Sequence, residues 1–325
     1  MGEGYTMKRN ILTSLPTPFE YFNKYMSNNI YIKRDDLTDL ALGGNKARKL
    51  EYFISDALTN KHDCIVTYGG AQSNHCRITA AAASKYGLKI VLILSDTDQV
   101  EYNGNYLLYS LFDAEIVWTK TNEVPETIEN TLAKLKGSGF NPYFIQGGGH
   151  GNIGTHAYKV AYEEILEQEI TKNVKCDYIF LASGTGTTQA GLEIGSRINS
   201  SDTKIVGISV ARNKSRGTDV IYESIIDYCA DHNIDLKMDK EDIYFDDSYI
   251  GKGYADIYPE VIDTIKHVAK KSTILLDPVY TGKAFYGMLD IIDKKNMKNK
   301  NILFIHTGGT PLIFNHAKAF EGKLS

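Results

Sequence analysis

The sequence is short of the features that would place it outside ordinary soluble proteins. In 325 residues it has 7 prolines, 4 cysteines and a single tryptophan. It has no run of the about 18 apolar residues that a membrane-crossing helix needs. The N-terminus carries no basic region followed by an apolar core, so no standard secretory signal is read, and the expected location is the cytoplasm. Met1 to Thr6 fits a myristoylation pattern formally, but so short a match recurs by chance, and Glu3 is a poor neighbour for it. Basic excess is missing too. A formal net charge of −4 gives no footprint for a phosphate backbone, which removes nucleic acid from the expected partners. Cys64, Cys76, Cys176 and Cys229 are widely spaced and form no CxxC pair, so they read as reduced, buried thiols rather than a disulfide framework. No low-complexity linker divides the chain.

What is present is an α/β pattern. A hydrophobic content of 42% with 23% charged residues describes a globular protein, and the length makes two domains the default. Residues 1–29 read as an irregular lead-in, with Pro16-Thr17-Pro18 fixing an extended turn. Ile30 to Arg34 alternates apolar and polar, as a strand does. From Lys46 to about Leu58, the residues Leu50, Phe53, Ile54, Ala57 and Leu58 recur at helical spacing, with Arg48, Lys49 and Glu51 on the other face. Short β-branched runs then alternate with glycine-bearing turns and helices: Cys64–Thr67, Ile90–Leu94, Glu115–Trp118 and Tyr143–Ile145, and in a second series Tyr178–Leu181, Ile205–Ile208 and Ile302–Ile305. Continuous apolar strands separated by helices predict two open, twisted, mainly parallel sheets with helices on both faces. The glycine-rich run Gly147–Gly154 is a natural hinge or cleft lining, and Lys294–Asn301 reads as a solvated loop.

In such sheets ligands bind beyond the carboxyl ends of the strands, which directs attention to the turns after the apolar runs. Gly43-Gly44-Asn45-Lys46 puts one lysine between a flexible glycine pair and a helix. A lysine becomes a covalent catalyst when a semi-enclosed site lowers its pKa from about 10.4. Its neutral amine then forms a Schiff base with an aldehyde, usually pyridoxal 5′-phosphate. Most of the 36 Lys and Arg residues must be solvated surface, so this stretch alone leaves the point open. After Tyr178–Ala182 comes Ser183-Gly184-Thr185-Gly186-Thr187-Thr188, with a helical stretch beginning at Leu192. Glycines, free N–H groups and three threonine hydroxyls make a phosphate cup. It contains no Lys or Arg and fits neither GxxxxGK[ST] nor GxGxxG. Ser73 and Asn74, ahead of a helix from Cys76 to Lys85, can cap that helix or hold a carboxylate. Tyr280, after the run Ile274–Leu276, can stack on a ring, transfer a proton or simply pack, and Thr307 can donate to a ring nitrogen or close a turn.

Taken together, six segments resemble the fold type II pyridoxal-phosphate enzymes, within them the group of D-cysteine desulfhydrase and 1-aminocyclopropane-1-carboxylate deaminase. They are Lys33-Arg34-Asp35-Asp36, Gly43–Glu51, Gln72-Ser73-Asn74-His75, Thr188–Leu192, Asp277–Lys283 and His306–Gly309. The resemblance implies a large cofactor-binding domain from residues 1–47 and 159–325, with a small α/β domain of residues 48–158 inserted in it. It implies pyridoxal 5′-phosphate on Lys46, whose amine, once freed by the substrate, moves the Cα proton. Gly184, Thr185, Gly186, Thr187 and Thr188 would hold the phosphate, Asn74 the phenolic oxygen, and Thr307 would face the pyridine nitrogen. Ser73, with the neighbouring Asn74 and His75, would take the substrate carboxylate. Tyr254 and Tyr280 would flank the substrate, with Ser73 and Tyr280 counted beside Lys46 as catalytic. A homodimer acting on a small amino acid is the expected assembly.

The choice of reaction rests on fewer residues. The deaminase is expected to carry a glutamate after the tyrosine of Asp-Pro-Val-Tyr, where this chain has Thr281, so α,β-elimination is favoured. D-Cysteine to pyruvate, hydrogen sulfide and ammonia is the first expectation. The deaminase reaction, or a lyase or β-replacement reaction on L-cysteate or L-cysteine, stands as the alternative. The cup looks closer to that of cysteine synthases than to the desulfhydrase cup, and His150 stands where a small polar residue is expected, in a loop read as facing substrate. His150 and His156 could suggest a metal, but spacing supplies no third ligand, and none is expected. From another class, a non-catalytic nucleotide-binding protein would use the same cup.

Overall fold

In a computed structural model, residues 7–95 and 100–321 are described; the Met1–Thr6 pattern lies outside them. The strands are β1 (Phe19–Tyr25), β2 (Asn28–Lys33), β3 (Cys64–Gly69), β4 (Lys89–Leu94), β5 (Glu115–Trp118), β6 (Pro142–Ile145), β7 (Tyr178–Ser183), β8 (Lys204–Ser209), β9 (Tyr244–Asp246) and β10 (Asn301–Ile305). The helices are α1 (Asn45–Thr59), α2 (Asn74–Lys85), α3 (Gly104–Leu111), α4 (Val124–Gly137), α5 (Asn152–Lys172), α6 (Thr187–Ile198), α7 (Lys214–Asp231), α8 (Pro259–Ser272), α9 (Thr281–Lys294) and α10 (Pro311–Asn315).

Two sheets form. The larger has the order β1-β2-β10-β7-β8-β9 and the smaller β5-β4-β3-β6. All pairings are parallel except β1 with β2. The apolar runs are continuous because both faces are covered. In the smaller sheet Ile65, Ile90 and Leu92 pack toward α1 and α2, while Val66, Val91 and Ile93 pack toward Leu135 of α4. In the larger, Phe180, Ile208 and Phe304 face α8 and α9, and Ile179, Leu181 and Leu303 face α5 and α6. Helices α5 and α6 meet backbone to backbone, since a Cβ at Gly191 would lie 2.3 Å from the Thr155 carbonyl oxygen.

Several expectations change. The lead-in is not irregular throughout: β1 pairs along β2 as an edge strand, and its half-exposed, partly polar face hid it. Strand β9 is a second edge that the sequence did not announce. Ile274–Leu276 forms no strand. Helix α6 starts at Thr187 and not at Leu192, so the cup threonines are themselves the first helical turn. Most consequential is α1, whose supposed outer face is buried. Arg48, Lys49 and Glu51 are at most 3% exposed, because the apolar face of α1 packs on the smaller sheet while Leu12–Thr13, Asp35, Glu164 and Thr187 cover its polar face.

That polar face carries a buried ionic network. Arg48 donates to both Asp35 oxygens at 2.8 and 3.0 Å and to both Glu164 oxygens at 2.8 and 2.9 Å. Lys33 donates to Glu164 at 2.5 Å and to the Thr17 carbonyl at 2.7 Å. The Tyr158 hydroxyl donates to Asp35 at 2.5 Å. Two cations and two carboxylates balance, as burial requires. On the next turn Glu51 accepts from the N–H groups of Leu12 and Thr13, each at 3.0 Å. The four cysteines are free and buried, and burial pushes the Cys64 and Cys76 thiols up to about 11 and about 12.

Candidate active site

At the carboxyl ends of the strands, between the two sheets, lies a cavity of about 450 Å³. The smaller sheet's half contributes Tyr68 to His75 and the loop at Gly147 and Gly148. The larger contributes Ser183 to Gly186, Thr188, Arg212, Tyr254, Tyr280 and Thr307. Of the residues expected at a site, Lys46, Ser73, Asn74, His75, Gly184, Thr185, Gly186, Thr188, Tyr254, Tyr280 and Thr307 all line this one cavity. Thr187 is buried behind the wall.

Lys46 reaches the cavity because α1 begins at a glycine. Gly44 has φ +127°, a Cβ there would meet the Thr307 carbonyl oxygen at 3.0 Å, and the Asn45 N–H donates to that oxygen. The helix start is thus fastened to the end of β10. Burial lowers the Lys46 amine to about 8, since desolvation disfavours the cation.

The cup opens at Gly186, whose φ of +91° suits glycine. The first-turn N–H groups of α6 have no intrahelical acceptor. Asn45 donates to the Thr188 hydroxyl at 3.0 Å. The cup lacks a basic residue in sequence but not in space: the Lys49 amine donates to the Thr187 hydroxyl at 2.7 Å. This cation is fully buried with no carboxylate against it, and burial together with the nearby Lys46 charge lowers its pKa well below the ordinary value. The Ser183 hydroxyl, also on the wall, is buried without a partner. A phosphate would satisfy both. Lys49 is the site residue missed by sequence reasoning, and its spacing of one helical turn from Lys46 was the available signal.

On the opposite wall Ser73 caps α2, accepting from the Cys76 N–H at 3.2 Å. Capping uses one acceptor and leaves the N–H groups of Asn74 and His75 at the helix end for an anion. The Asn74 carbonyl accepts from Asn105 at 2.8 Å and Arg77 at 3.3 Å, so its NH₂ is the edge left for a ligand. His75 is turned inward, 2.8 Å from the Thr67 hydroxyl, and burial holds its pKa well below the ordinary range. The hydroxyls of Tyr254 and Tyr280 lie 2.5 Å apart, and burial raises the Tyr280 pKa well above its usual value. Thr307 is 9% exposed on the wall.

Two residues that the choice of reaction turned on do not line the cavity. His150 is off the cavity wall, beside Thr185, with burial and the Lys49 charge lowering its pKa; Gly147 and Gly148 of that loop line the cavity instead. Thr281 is buried away from the cavity and exchanges two hydrogen bonds with Asp277, accepting from its N–H at 2.8 Å and donating to its carboxylate at 2.7 Å. Asp277 also accepts from the N–H groups of Val279, Tyr280 and Thr281, which locks the turn that presents Tyr280. Among the described residues no group of three or more His, Cys, Asp or Glu side chains is placed to hold a metal ion.

Residues 12–308 match the family of pyridoxal-phosphate-dependent enzymes, and the chain belongs to that family, with the fold type II architecture and its pyridoxal 5′-phosphate cofactor. Within it the chain sits in the 1-aminocyclopropane-1-carboxylate deaminase and D-cysteine desulfhydrase group. It is 38% identical over 312 residues to a Pyrococcus furiosus protein named "Putative 1-aminocyclopropane-1-carboxylate deaminase", covering 92% of this chain and 91% of that one. A Pyrococcus abyssi protein of the same name is 37% identical over 315 residues, 94% of each chain. A crystal structure described as an ACC deaminase homologue superposes with a TM-score of 0.89 at 37% identity, over 97% of this chain and 95% of that one. Family membership sets aside the non-catalytic nucleotide-binding alternative.

Proposed function

We propose that the chain catalyses α,β-elimination on a small amino acid carrying a β-leaving group, with D-cysteine to pyruvate, hydrogen sulfide and ammonia as the first candidate. The observation that carries this reading is the convergence, in one cavity, of a desolvated Lys46 amine, a phosphate cup backed by the anion-less Lys49, and the Ser73–His75 helix end. When bound, pyridoxal phosphate supplies the sink for the electron pair released at Cα. Lys46 holds the cofactor and then, as a free amine, takes the Cα proton. Lys49, Gly184, Thr185, Gly186, Thr187 and Thr188 hold the phosphate, Asn74 and Thr307 hold the ring, and Ser73 with the Asn74 and His75 N–H groups holds the substrate carboxylate. Tyr280, paired with Tyr254, flanks the substrate. Thr307 offers a neutral hydroxyl, which suits prompt departure of a leaving group. The Thr281 hydroxyl is committed to Asp277, so this position brings no carboxylate to ring opening. The proposed domain division, 48–158 within 1–47 and 159–325, passes through α1 and α5.

A second reading, ring opening of 1-aminocyclopropane-1-carboxylate, is favoured by the names of the Pyrococcus relatives. Purified protein given D-cysteine, L-cysteine, L-cysteate and 1-aminocyclopropane-1-carboxylate, with pyruvate, 2-oxobutyrate and sulfide scored separately, decides between them. Elimination predicts pyruvate and sulfide from D-cysteine. Faster 2-oxobutyrate from the cyclopropane substrate reverses the choice. Lys46→Ala abolishes the visible band of the lysine–pyridoxal linkage; a band that survives this change removes Lys46 from its role. Exposed Leu111 and Phe314, on the contacting helices α3 and α10, fit the proposed homodimer, which light scattering checks. No helix among the described residues is long and apolar enough to cross a membrane.

A further inference from the structure

One cation on the cavity wall has no role in holding the cofactor or the substrate carboxylate as assigned above. Among the described residues that line it there is no aspartate or glutamate, while Lys46 and Arg212 both stand on its wall and Lys49 stands behind it. The phosphate has Lys49 and the start of α6, and the substrate carboxylate has the start of α2. Arg212 is left over. It follows β8, and its guanidinium donates to the Gly184 carbonyl oxygen at the lip of the cup. Burial and the Arg216 charge lower its pKa, the Tyr68 hydroxyl lies near it, and no ion pair to a carboxylate forms among the described residues. Tyr68 is the last residue but one of β3, just before the turn that carries Ser73 and Asn74. Arg212 thus stands on the cavity wall at the lip of the cup, with Tyr68 of the other wall near it, half-buried and without an ion pair among the described residues. A partly desolvated guanidinium of this kind is a fork for an anionic group.

We propose that Arg212 is a specificity-determining residue that selects substrates whose β-substituent is anionic, a sulfonate or a phosphate ester, over those with a neutral one. This deepens the elimination reading and rests on it for the identity of the substituent. In α,β-elimination the Cα–H and Cβ–X bonds break and a Cα=Cβ bond forms. The proton goes to Lys46, the Cβ–X electron pair leaves with X, and water converts the remaining enamine to 2-oxo acid and ammonia. The leaving group thus departs as an anion, and a guanidinium at the cavity wall favours both its binding and its departure. For cysteine the thiol departs as hydrosulfide, and the guanidinium meets the single negative charge that develops on it.

The test uses the holoenzyme with unreactive acids that lack the amino group, so that binding is read without turnover. 3-Sulfopropanoate and propanoate share a carboxylate and differ in the second charge. Calorimetry on the wild type is expected to show the dianion bound about tenfold or more tightly than the monoanion, the size of one charge-assisted contact. In Arg212→Met that preference collapses, and in Arg212→Lys part of it returns. Equal affinity for both acids in the wild type overturns the proposal, as does a preference that survives in Arg212→Met. Loss of pyridoxal phosphate uptake in both variants also overturns it, because Arg212 would then serve the cofactor phosphate. Kinetics separate this from the elimination reading. If β-chloroalanine yields no pyruvate with the wild type, the reaction assignment fails, whereas the binding preference still stands or falls on Arg212.

Discussion

Two lysines one helical turn apart stand in different surroundings. Lys46 faces a cavity, and burial lowers its amine to about 8. A neutral amine is the form that captures an aldehyde, so cofactor uptake by the apoprotein is expected to accelerate with pH through a midpoint near 8. Rapid-mixing measurements of the visible band against pH check this; a midpoint near 10.4, the ordinary lysine value, would mean that the amine is solvated. Lys49 is enclosed, with a threonine hydroxyl and no anion. Removing its charge in Lys49→Met is expected to weaken pyridoxal phosphate binding roughly ten- to a hundredfold, the size of one or two charge-assisted contacts. The same burial has a consequence for the apoprotein. Its folded pKa lies below the ordinary 10.5, so the unfolded chain binds the proton more tightly, and stability rises as pH climbs from the folded value toward 10.5. Urea titrations of apoprotein should show that slope in the wild type and a flatter one in Lys49→Met. Lys46 was singled out in the sequence only once the other segments of the resemblance stood beside it, whereas Lys49 was not, because its partner Thr187 lies 138 residues away.

At the level of elements, α1 organises the site and is itself held by charge. Asp35 accepts from Arg48, Thr17 and Tyr158, and the Arg48 charge keeps its carboxyl below the usual range despite complete burial. Asp35→Ala leaves Arg48 facing only Glu164 and is expected to cost about 3–5 kcal/mol, the size seen when one partner of a buried pair is removed. Chemical denaturation measures it, and a loss under about 1 kcal/mol would mean that water already reaches the network. The sign with pH follows from the lowered carboxyl: this stabilisation is present above the ordinary 3.8 and is lost as the solution is acidified below it. The strands buried on both faces were readable as β-branched runs, and the two edges β1 and β9 were not, because an edge keeps polar side chains and need not alternate cleanly. The start of α6 was placed late for a related reason. Threonine and glycine are weak helix formers, and packing of Gly191 against α5 decides the matter instead. Arg48 and Glu51 could be placed only on the face opposite the apolar one, because a pattern on one helix says nothing about what covers it from elsewhere in the chain.

For the whole molecule, the cavity wall is divided between two sheets that share no strand. Tyr68 to His75 and the Gly147–Gly148 loop belong to one side; the cup, Tyr280 and Thr307 belong to the other. A ligand that engages both sides couples them, since it binds the folded state of each and stabilises by mass action. In hydrogen exchange, pyridoxal phosphate is therefore expected to slow the amides of residues 69–76 and of residues 183–190 together, although they lie on different sheets. Slowing confined to 183–190 would mean that the cofactor is held by the cup alone, and the reading of Asn74 as a cofactor contact would fall. In Lys46→Ala the covalent link is gone while the cup and Lys49 remain, so the cup amides should keep part of their protection at high cofactor concentration and those of 69–76 should lose more of theirs. The difference between the two segments then measures how much of the closure between the sheets depends on the lysine at the start of α1.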